Sequence, residues 1–286
     1  MKTERSSAPH SAQAERKHRQ GEAKPTLLLL PGMVCNHRAW TAQIEALADV
    51  VEPCAVAYGS ARSMTEMATV ALHQAPRRFL LAGHSMGGRV AMEVFRLAPE
   101  RVLGLCLMGT EHRSCPEGQQ GERELAGRQA LLRTAREEGM QAMAQSWLPH
   151  LIPASRQHDR HLVEAILQMI AEHSPEQLEA HIEAGANRPD SSPLLPCIQV
   201  PTLVLAGVDD AIRPVSAHRE MAALIPGCQL RIVDHCGHML TMEQPHAVNF
   251  AMRDWIVRSL ASPIHMPDTM APTSRLTSTN NKRTTA

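Results

Sequence analysis

The sequence predicts an α/β fold, a mostly parallel sheet with helices on both faces, on three observations. Apolar runs of strand length alternate with helical segments, the order that arises when each parallel strand is followed by a crossover helix. One such run leads directly into Gly83-His84-Ser85-Met86-Gly87 and then a helix-like stretch. Between about 110 and 192 the strand-length runs stop and the sequence turns helical in period.

The strand-length runs lie at Thr26–Leu30, 50–57, 79–82, Val102–Met108, 202–206 and Gln229–Val233. Ser63-Met64-Thr65-Glu66 has the spacing of a capping box and predicts a helix running to about Gln74. After 79–82, the stretch from Arg89 to Phe95 reads as a helix. Leu162, Val163, Ile166, Leu167 and Ile170 recur at helical spacing. Ser174-Pro175-Glu176-Gln177 supplies the cap, first-turn proline and box partner of the next helix. Val248, Ala251, Met252, Trp255 and Ile256 give the last helix one buried face. The expected organisation is therefore a disordered tail at 1–24, a core at 25–110 and 191–260, a helical lid at 111–190, and a second disordered tail at 261–286. A helical insertion at the carboxyl edge of a parallel sheet sits over the crevice where ligands bind.

The 286 residues carry 29 positive and 29 negative side chains, and no basic stripe interleaves with aromatics. Nucleic acid and an anionic membrane surface are therefore not expected partners. The seven cysteines, Cys35, Cys54, Cys106, Cys115, Cys197, Cys228 and Cys236, show no paired or metal-like spacing and read as reduced. With no apolar signal-like core and no run long enough to span a bilayer, the expectation is a cytoplasmic protein acting on a small molecule. Nothing in the sequence specifies its oligomeric state.

The pentapeptide around Ser85 reads as a nucleophile elbow. A serine on a sharp strand-to-helix turn needs small residues two before and two after it, and Gly83 and Gly87 fill those places. The turn sets the hydroxyl at a helix N-terminus, whose unpaired N–H groups favour an anion. A serine hydroxyl is a weak nucleophile without a base, and an imidazole serves best when a carboxylate fixes its tautomer. Asp209 and Asp210 follow the run at 202–206, and Asp234-His235-Cys236-Gly237-His238 follows Gln229–Val233. The order is serine, acid, histidine.

With these motifs the chain resembles the α/β-hydrolase superfamily over residues 25–260. The resemblance rests on Leu30-Pro31-Gly32-Met33, on Gly83 to Gly87, on the Gly-x-x-Asp-x-x-x-Pro pattern from Gly207 to Pro214, and on Gly237-His238. It implies Ser85 as nucleophile, Asp210 as acid, His238 as base, and the backbone N–H groups of Met33 and Met86 as the oxyanion hole. Of the two aspartates, only Asp210 has the family spacing to both Gly207 and Pro214. The family loop often reads His-Gly where this chain has Pro31-Gly32. Relatives that use an aspartate at the elbow, the dehalogenases and epoxide hydrolases, are excluded by Ser85. No metal or organic cofactor is implied.

Four other readings accompany these. Glu111 holds a place from which some relatives supply the acid, but it reads rather as a surface or hinge carboxylate. His84 reads as a locally bonded residue and His235 as structural or exposed. Met140, Met143 and Met169 could line an acyl pocket, although methionines at helical spacing are more often core filler. The expected function is hydrolysis of a carboxylic ester or thioester of a small, mainly apolar substrate through an acyl-enzyme. The alternatives are carbon–carbon or enol-lactone hydrolysis of aromatic degradation, or a non-catalytic binding protein on the same fold.

Overall fold

The computed structural model describes residues 24–262. The two expected tails lie outside the described residues apart from their inner edges. Six strands, β1 (Thr26–Leu30), β2 (Glu52–Ala55), β3 (Phe79–His84), β4 (Val102–Met108), β5 (Thr202–Gly207) and β6 (Gln229–Val233), form one sheet in the order β2-β1-β3-β4-β5-β6. Every neighbouring pair is parallel. Leu27, Leu28, Leu29 and Leu30 are all wholly buried, as a strand covered on both faces requires. β2 is shorter than the run at 50–57 suggested, and as an edge strand it pairs only with β1.

The helices are α1 (Thr41–Leu47), α2 (Met64–Gln74), α3 (Met86–Leu97), α4 (Gly118–Glu137), α5 (Met140–Leu151), α6 (Arg160–Ala171), α7 (Pro175–Ala186), α8 (Val215–Leu224), α9 (Leu240–Glu243) and α10 (Pro245–Ala261). The chain moves one way across the sheet from β1 to β2 and the other way from β2 onward. Right-handed crossovers then place α1 and α2 on opposite faces. The packing agrees: α1 lies against α10, and α2 against α3. Gly104 in β4 leaves room for Ser259 of α10, whose hydroxyl a Cβ would strike, so this last helix seats close to the sheet. The reversal of direction makes a switch point between β1 and β3, where the loops leaving their carboxyl ends diverge and open a crevice.

Ser63 caps α2 by accepting from the Glu66 N–H, but the Glu66 carboxylate accepts from Arg62 N–H at 2.7 Å and not from Ser63. The reciprocal half of the expected box has moved one residue outward. At α7 the box is complete, with Ser174 and Gln177 satisfying each other's backbone N–H groups. Four helices, α4 to α7, occupy the stretch between β4 and β5, as the loss of strand-length runs indicated. Among the described residues, all seven cysteines are free and no helix is long and apolar enough to cross a membrane.

Candidate active site

The switch point is where the sharpest backbone feature lies. Ser85, between β3 and α3, has φ 55° and ψ −117°, a conformation that costs an L-residue of order 1–3 kcal/mol and is held only by its surroundings. Its N–H donates to the Met108 carbonyl at 2.9 Å, and the Thr110 hydroxyl donates to its carbonyl at 2.8 Å. The two glycines are required on contact grounds. A Cβ on Gly83 would strike the Gly87 carbonyl, and one on Gly87 would strike the carbonyl of Leu30. The register Leu30↔Gly83 brings the loop after β1 alongside the elbow.

Ser85, His238 and Asp210 meet across the carboxyl ends of β3, β5 and β6. His238 Nε2 lies 2.9 Å from Ser85 Oγ, and its Nδ1 lies 2.8 Å from Asp210 Oδ2. The other Asp210 oxygen accepts from the N–H groups of Ile212 and Arg213, each at 2.8 Å. Burial by itself would raise the Asp210 carboxyl. The adjacent imidazole and these hydrogen bonds outweigh it and hold the group below the usual carboxylate range. Asp209 is exposed, with its backbone N–H bonded to the Cys236 carbonyl. Glu111 instead lies among Arg89, Arg213 and Arg188.

Two side chains hold the His238 loop, of which only His84 stood in a local motif. The buried Glu243 carboxylate accepts from the N–H groups of Gly237 and Met239, each at 2.9 Å, clamping the residues on either side of His238. Burial pushes Glu243 up to about 7, while its two N–H donors and Arg156 pull it back. His84 lies 2.7 Å from the His238 carbonyl through Nε2, so that nitrogen carries the proton and donates. Burial and the neighbouring His238 push the His84 imidazole down to about 3, which keeps it neutral. This is the local bonding expected of His84, and His235 is exposed as expected.

Met33, in the loop after β1, and Met86, the first residue of α3, line the cavity with Ser85. The Met86 N–H is the first of α3 and has no partner within the helix, and the Met33 N–H has no backbone acceptor among the described residues. The loop after β1 is strained as well, since Val34 has φ 44°, an outlier for a β-branched residue. Its support comes from two side chains. Tyr58 donates its hydroxyl to the Pro31 carbonyl at 3.2 Å, and Val34 donates its N–H to His181 Nδ1 at 3.1 Å. His181 belongs to α7, between β4 and β5. The same helical stretch reaches His238, whose N–H donates to the Leu151 carbonyl at 2.9 Å, at the end of α5.

The cavity over Ser85 and His238 is walled by Met33, Met64 and Met86 and by Trp147, Ile182 and Ile212, together with Arg89, Arg128, Arg188, Arg213 and Glu124. This differs from the mainly apolar wall that the sequence led us to expect. Met140, Met143 and Met169 are buried core and do not reach it. The guanidiniums come from α3, α4, the segment after α7 and the loop before α8, so only folding gathers them. No cluster of potential metal ligands occurs among the described residues.

A strained serine at the switch point, bonded to a histidine that is bonded in turn to an aspartate, is accompanied by a match to the sequence profile of the alpha/beta hydrolase family across residues 27–251. The chain belongs to that family. A thermophilic esterase from Thermogutta terrifontis, solved with malate bound, superposes with a TM-score of 0.72 at 31% identity, covering 83% of this chain and 91% of the other. A monoacylglycerol lipase from Homo sapiens is 25% identical over 78% of this chain and 72% of its own length. A pimeloyl-[acyl-carrier protein] methyl ester esterase from Nitrosomonas europaea is 25% identical over 75% of this chain and 88% of its own. This alpha/beta hydrolase thus shares its architecture with ester-cleaving enzymes along most of its length.

Proposed function

We propose that this hydrolase cleaves a carboxylic ester or thioester through an acyl-enzyme on Ser85. The observation that carries the reading is the continuous relay from Ser85 Oγ to His238 at 2.9 Å and from His238 to Asp210 at 2.8 Å. His238 accepts the serine proton as Oγ attacks the carbonyl carbon, and Asp210 stabilises the imidazolium that results. The carbonyl oxygen, now anionic, is received by the N–H groups of Met33 and Met86, aided by the N-terminal end of α3. The imidazolium returns its proton to the departing alkoxide or thiolate. Water deprotonated by His238 then attacks the acyl carbon and releases the acid. The helices α4 to α7 act as a cap in this reading, supported by Arg128, Trp147, His181 and Ile182, which line the cavity with Ser85.

The test is fluorophosphonate labelling with peptide mapping, followed by turnover of an ester, thioester, lactone and vinylogous diketone panel. Label on the Ser85 peptide and turnover of esters or thioesters are expected, with Ser85→Ala lowering kcat by on the order of 10⁶-fold in a folded protein. An unlabelled, inert protein would point to a binding role. Turnover of only the lactone or the diketone would replace the ester reading with one of the alternatives.

A further inference from the structure

The charged wall of the cavity says more about the substrate than the relay does. Four guanidiniums, Arg89, Arg128, Arg188 and Arg213, stand beside two carboxylates, Glu111 and Glu124. Arg188 pairs with Glu124 through two bonds of 2.7 and 2.9 Å, leaving its buried Nε without a partner, and Arg89 pairs with Glu111 at 2.7 Å. Arg213 shares Glu111 at 3.3 Å. Arg128 has no carboxylate within salt-bridge distance among the described residues. Its Nη1 lies 3.8 Å from Met33 Sδ, and its guanidinium lies 5.5 Å from the centre of the Trp147 ring. Burial and the neighbouring Arg213 and Arg188 pull it down to about 10, which still leaves it a cation at neutral pH.

A second donor points the same way. His181 accepts the Val34 N–H on Nδ1, so in the neutral ring Nε2 carries the hydrogen, and that buried N–H has no partner. Burial pushes His181 down to about 4 and keeps the ring neutral. A cavity that holds a half-buried cation with no carboxylate partner and a buried N–H donor with no partner suits an acceptor, because a charge-assisted bond to the first and a hydrogen bond to the second are both left unmade by the protein. Arg128, His181 and Ser85 line one cavity, and Arg128 touches the Met33 side chain, so a molecule whose carbonyl reaches Ser85 can carry the acceptor.

We propose that the substrate is the ester or thioester of a dicarboxylic acid, whose second, unreacting carboxylate is held by Arg128, with Arg213 and the His181 Nε2–H completing its surroundings. The planar two-donor edge of a guanidinium matches a carboxylate through two parallel bonds. This deepens the ester-hydrolase reading and rests on it.

The experiment compares monoethyl succinate, glutarate and adipate with the carbon-matched ethyl butyrate, pentanoate and hexanoate, in wild type and Arg128→Met. In parallel, glutarate and inorganic phosphate are tested for stabilisation of the catalytically dead Ser85→Ala protein and of Ser85→Ala/Arg128→Met. Wild type should favour at least one monoethyl half-ester over its neutral match in kcat/KM by about 10- to 100-fold, the size of one charge-assisted contact, and Arg128→Met should abolish most of that ratio. Glutarate should raise the Tm of Ser85→Ala and not that of the double variant. Ester turnover without preference for the acidic substrates overturns the subsite and leaves the hydrolase reading standing. Stabilisation by glutarate that depends on Arg128, in a protein that turns over no ester, upholds the subsite and overturns the hydrolase reading. Equal stabilisation by phosphate overturns the assignment to a carboxylate. Should Arg128→Met fail to fold, the wild-type ratio together with Arg128→Lys decides, since loss of the planar fork should lower the ratio while the charge is kept.

Discussion

The carboxyl edge of the sheet and the helices between β4 and β5 both build the cavity, but by different means. At the sheet edge, position is set within a few residues of each functional group: Gly83 and Gly87 permit the strained Ser85, and Glu243 clamps the neighbours of His238. The helices act at long range. His181 takes the Val34 N–H from 147 residues away, and Leu151 takes the N–H of His238. The stretch read from sequence as a cover over the crevice hydrogen-bonds the loop of Met33 and the loop of His238. Removing it should weaken the chemistry itself as well as the choice of substrate.

The largest effect that tests this contrast lies on the sheet side. Asp210→Asn should cut kcat by roughly 10⁴-fold with the fold kept, since the imidazole loses the partner that sets its tautomer. The exposed Asp209→Asn should change it little. Steady-state kinetics on the two variants would expose a reversed order, which would mean the acid is not the residue bonded to His238.

On the helical side, His181→Leu leaves the buried Val34 N–H without an acceptor, a loss of about 1–3 kcal/mol. If the helices only cover the site, that loss should appear in KM or in stability alone. If they hold the oxyanion loop, kcat should fall by about 10- to 100-fold for a neutral ester while KM moves less.

The smallest effect compares the two regions through pH. Each holds a buried neutral imidazole, His84 at the sheet and His181 in α7, pushed down to about 3 and about 4 from an ordinary 6.5. Above that ordinary value both the folded and the unfolded chain are neutral at these sites. As pH falls below it, the unfolded chain takes up protons that the fold refuses, so stability is lost on acidification. Glu243, raised to about 7, works in the opposite sense over part of this range, because its folded form protonates first. That contribution is common to wild type and His181→Leu and cancels between them. From pH 7.5 to 5, wild type should therefore lose roughly 2 kcal/mol more than His181→Leu, as read from urea midpoints. Parallel losses would show that His181 is protonated within the fold.

Much of this molecule is written locally. Strand-length apolar runs and helical periods name the six strands and the helices α2, α3, α6, α7 and α10, because burial on both faces of a parallel sheet, or on one face of a helix, leaves a mark on nearby residues. Ser85, Asp210 and His238 were also legible, since an elbow, a turn and a loop each need particular residues within a few positions to hold their backbone. The offset box at Ser63, the roles of Tyr58, His181 and Glu243, and the charged wall were not. His181 carries no sequence mark that separates it from fifteen other histidines, for its partner is fixed only when α7 packs over the loop after β1. The arginines come from separate elements of the chain, and a charge on a helix reads as solvated until the fold turns it inward. The residues positioned by their own backbone were therefore determined by the sequence, while those positioned by another element were decided by tertiary packing, because a contact across 147 residues constrains neither neighbour's local pattern.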